Sequence, residues 1–246
     1  LYAELLKLSG VDTIVTVHNH SAKVQALMRD VFEGNFHNLV PDDVYADYIK
    51  RSDMLQVGKD GDNLVLCAPD AGATPFVEKV QKTLGLSGAK RIVMKKERSG
   101  ERSVTMSLAE SSEIGIDEIA GRDVIVLDDM VRTGTTIVNC SEALKAGHTG
   151  KVCFGVTHFH TSIEARENLN SPFLDEIMTT NTIPTILNRD EQGRLRKKLV
   201  VLELSKWIAR QVLILLNTYD GRYDRAFYSI DMSSQNKRWP PLQPSG

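Results

Sequence analysis

The sequence predicts an α/β protein built around a parallel sheet, and three observations carry that expectation. Short β-rich apolar runs alternate along the chain with amphipathic helical stretches, the pattern of parallel strands joined by crossover helices. The run Asp123-Val124-Ile125-Val126-Leu127 is continuously apolar after its first residue, as a strand buried on both faces must be, and it leads into Asp128-Asp129. A glycine-containing turn, Thr133-Gly134-Thr135-Thr136, then opens a helix that Gly147 closes.

Bulk properties bound the rest. The 246 residues are 41% hydrophobic and 25% charged, enough for one large domain or two small ones, and this excludes disorder as the dominant state. A net charge of -2 gives no overall basic field for nucleic acid or an anionic membrane, so neither is expected as a partner. No apolar run approaches the ~18 residues needed to span a bilayer. Cys67, Cys140 and Cys153 sit in or beside apolar runs without CxxC spacing, which reads as buried thiols in a reducing compartment. The opening LYAELLKLSG lacks the charged-then-apolar order of a signal peptide, and a cytoplasmic location is expected.

In chain order, the amphipathic start, with Glu4 and Lys7 interspersed, predicts a helix over about 2–9, followed by a strand Thr13–Val17 and a helix over 21–31. A helix over 42–51 precedes the strand Asn63–Ala68. Thr74-Pro75 starts the next helix, 74–84, because threonine caps a first turn and proline suits the first helical position. The strand Arg91–Lys95 runs into Lys96-Glu97-Arg98-Ser99-Gly100-Glu101-Arg102, too charged and glycine-broken to pack, which predicts a loop projecting into solvent. Strand Asp123–Leu127, helix 135–146, strand Val152–Thr157, helix 162–169 and strand Glu176–Thr180 follow. The stretch Asn188–Lys198 is polar and reads as a second loop before the strand Leu199–Leu202 and a helix over 205–216, in which Trp207 reads as packing. From Asn217 the periodicity fades toward Trp239-Pro240-Pro241-Leu242-Gln243-Pro244, which predicts a poorly ordered tail.

The chemistry concentrates after strand 123–127. Asp128 and Asp129 arrive at the carboxyl end of a parallel strand, where open α/β sheets bind ligands. Adjacent carboxylates repel each other unless a cation or ligand hydroxyls engage them, and a ribose diol is a natural partner. The N–H groups, hydroxyls and helix dipole of Thr133-Gly134-Thr135-Thr136 form a phosphate cradle that Gly134 lets a ligand approach closely. Diol acceptors beside a monophosphate site outline a ribose 5-phosphate. The bland alternative is a solvated strand end and an ordinary helix cap.

The segment VIVLDDMVRTGTTI resembles the phosphoribosyl-pyrophosphate signature of the type I phosphoribosyltransferase fold. Four further segments, in family order, make the chain similar to the ribose-phosphate pyrophosphokinase family over roughly residues 1 to 215. Cys67-Ala68-Pro69-Asp70-Ala71-Gly72-Ala73 resembles its pyrophosphate-region turn and Lys96-Glu97-Arg98 its catalytic flexible loop. Thr179-Thr180-Asn181-Thr182-Ile183-Pro184 matches a characteristic strand end, and Val17-His18-Asn19-His20-Ser21-Ala22 a metal-binding histidine turn.

The resemblance implies Mg2+-dependent transfer of pyrophosphate from ATP to ribose 5-phosphate, giving phosphoribosyl pyrophosphate and AMP. It implies Lys96 and Arg98 as catalytic cations, Asp128, Asp129, Thr133, Gly134, Thr135 and Thr136 as ribose 5-phosphate ligands, and His20 and Asp70 as metal ligands. As a bare pattern, His18-Asn19-His20 is weak, since alternate residues on a strand face opposite ways; for Asp70 the alternative is an ordinary turn or helix-capping aspartate. His18 stands where the family usually has aspartate, and Arg132 either adds a phosphate contact or points outward. His158 and His160 match a threonine-histidine region whose role stays open between support of the sheet edge, an intersubunit contact and ligand contact.

By the same resemblance, residues 1–38 correspond to the remnant of an N-terminal phosphoribosyltransferase-like domain, 39–204 to a C-terminal catalytic domain of that fold, and 205–246 to a helix returning to the first domain and a tail. Most of the N-terminal domain, with its adenine contacts, is expected to be lacking. The resemblance also implies homo-oligomerisation or assembly with a full-length synthase subunit. A non-catalytic regulatory subunit and a phosphoribosyltransferase acting on a nucleobase remain as alternatives.

Overall fold

A computed structural model describes residues 1–98, 104–188 and 192–231. The chain divides into two compact units, Leu1–Pro41 and Asp42–Gly246.

The first unit holds α1 (Tyr2–Leu8), β1 (Ile14–Val17), α2 (Ala22–Val31) and β2 (Phe36–Leu39). β1 and β2 pair in parallel, with Ile14 opposite Phe36 and Val17 opposite Leu39. α2 begins where the Ser21 hydroxyl accepts the Val24 N–H at 3.2 Å, a side-chain cap for an otherwise unpaired first-turn donor. β2 has no counterpart among the predicted strands: in Phe-His-Asn-Leu the middle positions are polar, and pairing with β1 overrides that weak signal.

The second unit is a sheet of order β10-β9-β8-β7-β6-β3-β4-β5. Its strands are β3 (Leu64–Ala68), β4 (Lys90–Arg98), β5 (Val104–Leu108), β6 (Asp123–Val131), β7 (Val152–Phe159), β8 (Glu176–Thr180), β9 (Leu199–Glu203) and β10 (Ser229–Asp231). All neighbours run parallel except β4–β5 and β9–β10 at the two edges. The helices are α3 (Asp42–Arg51), α4 (Thr74–Leu84), α5 (Thr135–Ala146), α6 (Ile163–Leu169) and α7 (Ser205–Leu215).

Every residue of β3 and the first five of β6 are buried, which is why these runs show no alternation. Val65, Cys67, Val124, Val126, Val152, Phe154, Ile177 and Val201 share one core cluster across the central strands. Asp123 anchors the start of β6: its carboxylate accepts the Gln56 and Lys151 N–H groups, each at 2.7 Å. Trp207 is buried in α7, and its indole N–H donates to Asp43 Oδ1 at 2.8 Å, which ties α7 to the first turn of α3. Burial pushes the Asp43 carboxyl up, against the opposing pull of that hydrogen bond.

Four expectations change. The predicted loop from Lys96 is strand through Arg98, paired antiparallel with β5, because Val-Thr-Met-Ser-Leu alternates with period two and supplies a partner for the charged run. Residues 99–103, including Gly100 and Arg102, lie outside the described residues. Thr74 gives α4 no side-chain cap, although Pro75 stands in its first turn as expected; the side-chain cap lies upstream, where Asp70 Oδ1 accepts from Gly72 and Ala73 N–H at 2.9 and 3.3 Å at the head of a 3-10 turn that leads into α4. Within the polar stretch 188–198, Gly193–Lys197 forms a 3-10 turn that buries Leu195, with 189–191 outside the described residues. The predicted tail contributes β10, and Tyr228 is buried with its hydroxyl donating to Asp47 Oδ2 at 2.9 Å. The segment Trp239–Pro244 lies outside the described residues.

Candidate functional site

β6 carries the acidic pair out of the core. Its residues 123–127 are buried, while Asp128, Asp129 and Met130 are half-buried. The strand runs further than its apolar stretch, pairing with β7 as far as Val131 opposite Phe159. Both aspartates therefore lie within the strand, where consecutive side chains leave on opposite sides, and this separates their charges. The Asp129 N–H donates to Asp128 Oδ1 at 2.9 Å.

The turn after β6 exposes Arg132, Thr133 and Thr135, and half-buries Thr136. Gly134 is the N-cap of α5 and takes the left-handed conformation, φ +74°. A glycine cap brings no side chain to the first-turn N–H groups of α5, which leaves them to a ligand. Sequence reasoning gave Gly134 the task of admitting a ligand; the packing gives it a second one. A Cβ at Gly134 would lie 2.8 Å from Leu169 Cγ and 3.1 Å from its Cδ2, so α6 presses on the turn from behind. Asn168, next to Leu169, donates from Nδ2 to the Thr133 carbonyl at 3.2 Å.

Two neighbouring strands add to this end of the sheet. β4 and β6 both run parallel to β3, which lies between them, so Lys96, Asp70 and the acidic pair all emerge at carboxyl ends or beyond them. Lys96 Nζ donates to Thr136 Oγ1 at 2.9 Å and joins the β4–β5 hairpin to the turn. Asp70 is exposed, and the 71–73 turn it caps touches β3, β4 and β6. Arg98 pairs with Val104 through its backbone. Its side chain lies outside what is described.

His20 belongs to the first unit and Asp70 to the second. β1 ends at Val17, so the objection that alternate strand residues face opposite ways does not apply. His18 is buried at φ +45°, and its N–H donates to the Leu39 carbonyl at 2.7 Å, while His20 is exposed. Asn38 shapes this turn by accepting the Asn19 N–H at 2.7 Å, and Gln25 Nε2 donates to the Asn19 carbonyl at 2.7 Å.

Among the described residues no three His, Cys, Asp or Glu side chains gather as a metal cage. Of the two residues that the resemblance names as metal ligands, Asp70 offers the hard oxygen that suits Mg2+, an ion commonly held by one or two carboxylates together with substrate phosphates. His158 is the contact that sequence reasoning left open: its Nδ1 lies 2.9 Å from Thr182 Oγ1, and that hydroxyl donates to the Thr157 carbonyl at 2.9 Å. The Thr-Asn-Thr strand end thus holds the imidazole in place, one strand over from the acidic pair. An apolar hollow of about 740 Å³, lined by residues such as Met94, Met106, Ile114 and Ala146, lies by the far end of α5 and takes no part in this arrangement.

No helix among the described residues is long and apolar enough to cross a membrane. The sequence profile of the phosphoribosyl transferase domain matches residues 45–183. The chain is 32% identical over 212 residues to the ribose-phosphate pyrophosphokinase of Corynebacterium efficiens, covering 86% of this chain and 58% of that protein. It is 32% identical over 184 residues to that of Campylobacter jejuni, covering 75% of this chain and 53% of the other. The chain thus spans little more than half the length of these relatives. The crystal structure of phosphoribosylpyrophosphate synthetase from Mycobacterium smegmatis superposes with a TM-score of 0.64 at 24% identity, over 88% of this chain and 64% of that one, a likeness of fold. Since the profile covers more than half of the chain, including β6, the acidic pair and the turn into α5, the protein belongs to the phosphoribosyl transferase domain family.

Proposed function

We propose that this chain takes part in the reaction of ribose-phosphate pyrophosphokinases, Mg2+-dependent transfer of pyrophosphate from ATP to ribose 5-phosphate, and supplies the ribose 5-phosphate end of the site. The observation that supports this reading is the last part of β6, where the half-buried Asp128 and Asp129 lead into a glycine-capped α5 whose first-turn N–H groups take no side-chain cap; Lys96 reaches the same turn, 2.9 Å from Thr136 Oγ1. The 5-phosphate sits on the N–H groups and hydroxyls of Thr133, Gly134, Thr135 and Thr136, and the ribose straddles the end of β6 so that Asp128 and Asp129 accept from its hydroxyls. Lys96 and Arg98 offset charge that grows on the transferring phosphates. Asp70 is the residue of the second unit that would hold Mg2+, and His20 would be a metal ligand of the first unit. When bound, the ion would neutralise part of the phosphate charge.

ATP-dependent turnover is assigned to an assembly, either of copies of this chain or with a full-length synthase subunit. Leu5 and Leu8 of α1 are exposed apolar side chains of the kind a partner covers. A cytoplasmic location belongs to the same reading and is supported by three free, buried thiols.

The test is AMP release from ATP, Mg2+ and ribose 5-phosphate by the purified chain, with and without a full-length relative. AMP formed by the chain alone, or turnover of the mixture that falls when Lys96→Ala is introduced in this chain, supports the proposal. Reaction only of phosphoribosyl pyrophosphate with a nucleobase overturns it.

A further inference from the structure

We infer that Asn168 is a positioning residue that fixes the direction of the Gly134 N–H in the phosphate turn, an inference that rests on the proposed role of that turn. The turn has little to hold it from within: Arg132 and Thr133 are exposed, and Gly134 occupies a left-handed conformation that glycine enters and leaves with little penalty. Its restraint comes from outside: Lys96 reaches Thr136 at its α5 end, and one face of α6 holds the Thr133–Gly134 peptide. Leu169 is fully buried against the Gly134 α-carbon, and the Ala165 carbonyl, one helical turn earlier, lies 3.4 Å from where a Cβ would stand. Asn168 Nδ2 holds the Thr133 carbonyl oxygen at 3.2 Å. α6 is itself fixed at its start, where Ser162 Oγ accepts the Ala165 N–H at 3.2 Å and Arg166 Nη2 donates to the Thr161 carbonyl at 3.4 Å.

The consequence follows from peptide geometry. The Thr133 C=O and the Gly134 N–H belong to one planar trans unit and point in opposite directions. Holding the oxygen toward α6 therefore turns the N–H away from α6, to the side where an anion on the helix N-terminus must sit. A neighbouring glycine makes this peptide free to flip, so the side-chain amide decides between a donor facing the ligand and a carbonyl facing it. A carbonyl there would repel a phosphate.

Two substitutions separate positioning from plain support. Asn168→Ala removes the donor. Asn168→Asp keeps the shape but repels the Thr133 oxygen and offers an acceptor to a flipped Gly134 N–H. Ribose 5-phosphate is titrated calorimetrically into the full chain and into both variants, and thermal unfolding is followed alongside. The expected order of affinity is unaltered chain, then Asn168→Ala, then Asn168→Asp, the last weaker by about tenfold or more, the size of a lost hydrogen bond to a charged group. The unfolding midpoint of Asn168→Asp stays close to that of the unaltered chain, because the exposed carboxylate gains the flipped N–H. If both variants bind as the unaltered chain does, or if weakening follows unfolding and not the order above, the positioning role is overturned while the site reading stands. If the unaltered chain itself does not bind ribose 5-phosphate, the site reading fails and the inference fails with it.

Discussion

Gly134→Ala tests the turn at its tightest point. Two terms add. The left-handed backbone at φ +74° costs a residue with a Cβ about 1–2 kcal/mol. The new methyl carbon would lie 2.8 and 3.1 Å from Leu169 Cγ and Cδ2, and because Leu169 is fully buried it cannot swing into solvent; such overpacking costs about 1–3 kcal/mol. The sum is about 2–5 kcal/mol, shared between global stability and distortion of the turn. Urea unfolding reads the first share and ribose 5-phosphate affinity the second. The steric part has its own signature. Leu169→Ala alone leaves a cavity, a change that costs about 2–5 kcal/mol in cores, yet combined with Gly134→Ala it removes the clash. The double variant is therefore expected to be more stable than the two single losses predict, by about 1–3 kcal/mol in the cycle. Strict additivity, or a Gly134→Ala variant with unchanged stability and unchanged affinity, would refute the account of the turn.

Other consequences are simpler to state. Lys96→Ala is expected to slow AMP formation by at least about tenfold while ribose 5-phosphate affinity changes less, since a cation serving the transferring phosphates acts mainly in the transition state; unchanged turnover excludes that role. Asp129→Asn is expected to weaken ribose 5-phosphate binding by about tenfold or more through lost charge-assisted hydrogen bonds, and saturation at the same concentration as the unaltered chain counts against it. Asp175 tests the fold on acidification. Burial raises its carboxyl, but the Val152 N–H, the hydrogen bond from Lys145 and the charges of Lys145 and Lys151 outweigh it and leave the group below its ordinary 3.8. A depressed carboxylate gives stability that is present above that ordinary value and lost as pH falls through the folded one. Asp175→Asn should therefore lose less stability than the unaltered chain between about pH 5 and pH 2, read as urea midpoints, and an identical loss removes Asp175 from the acid response.

The parallel core was legible because its strands are buried on both faces, and continuous runs such as Val124–Leu127 fit the inner strands of a sheet covered on both sides. Edge elements were not. β2 and β10 are short and polar enough that only a paired neighbour makes them strands, and β5 hid behind the charged stretch that precedes it. Around the site, the Asp128-Asp129 pair and the turn showed through residue type and order alone. The supports did not: Asn168 and Leu169 lie more than thirty residues beyond Gly134, in a helix whose sequence reads only as amphipathic, and their contact with the turn exists only once α5 and α6 pack. Asp70 was legible as a turn aspartate, but whether it capped Thr74-Pro75 or the turn before it depended on backbone geometry. The positive φ of His18 likewise moved the histidines out of the strand pattern by which they had been judged.

The central claim is that one sugar phosphate spans the end of β6 and the start of α5. A crystal structure of the chain soaked with ribose 5-phosphate tests it most directly. The account predicts phosphate oxygens within hydrogen-bond reach of the amides of Gly134, Thr135 and Thr136, with ring hydroxyls on the carboxylates of Asp128 and Asp129. A ligand bound elsewhere, or a phosphate on the turn with both aspartates engaged only by protein groups, would contradict it.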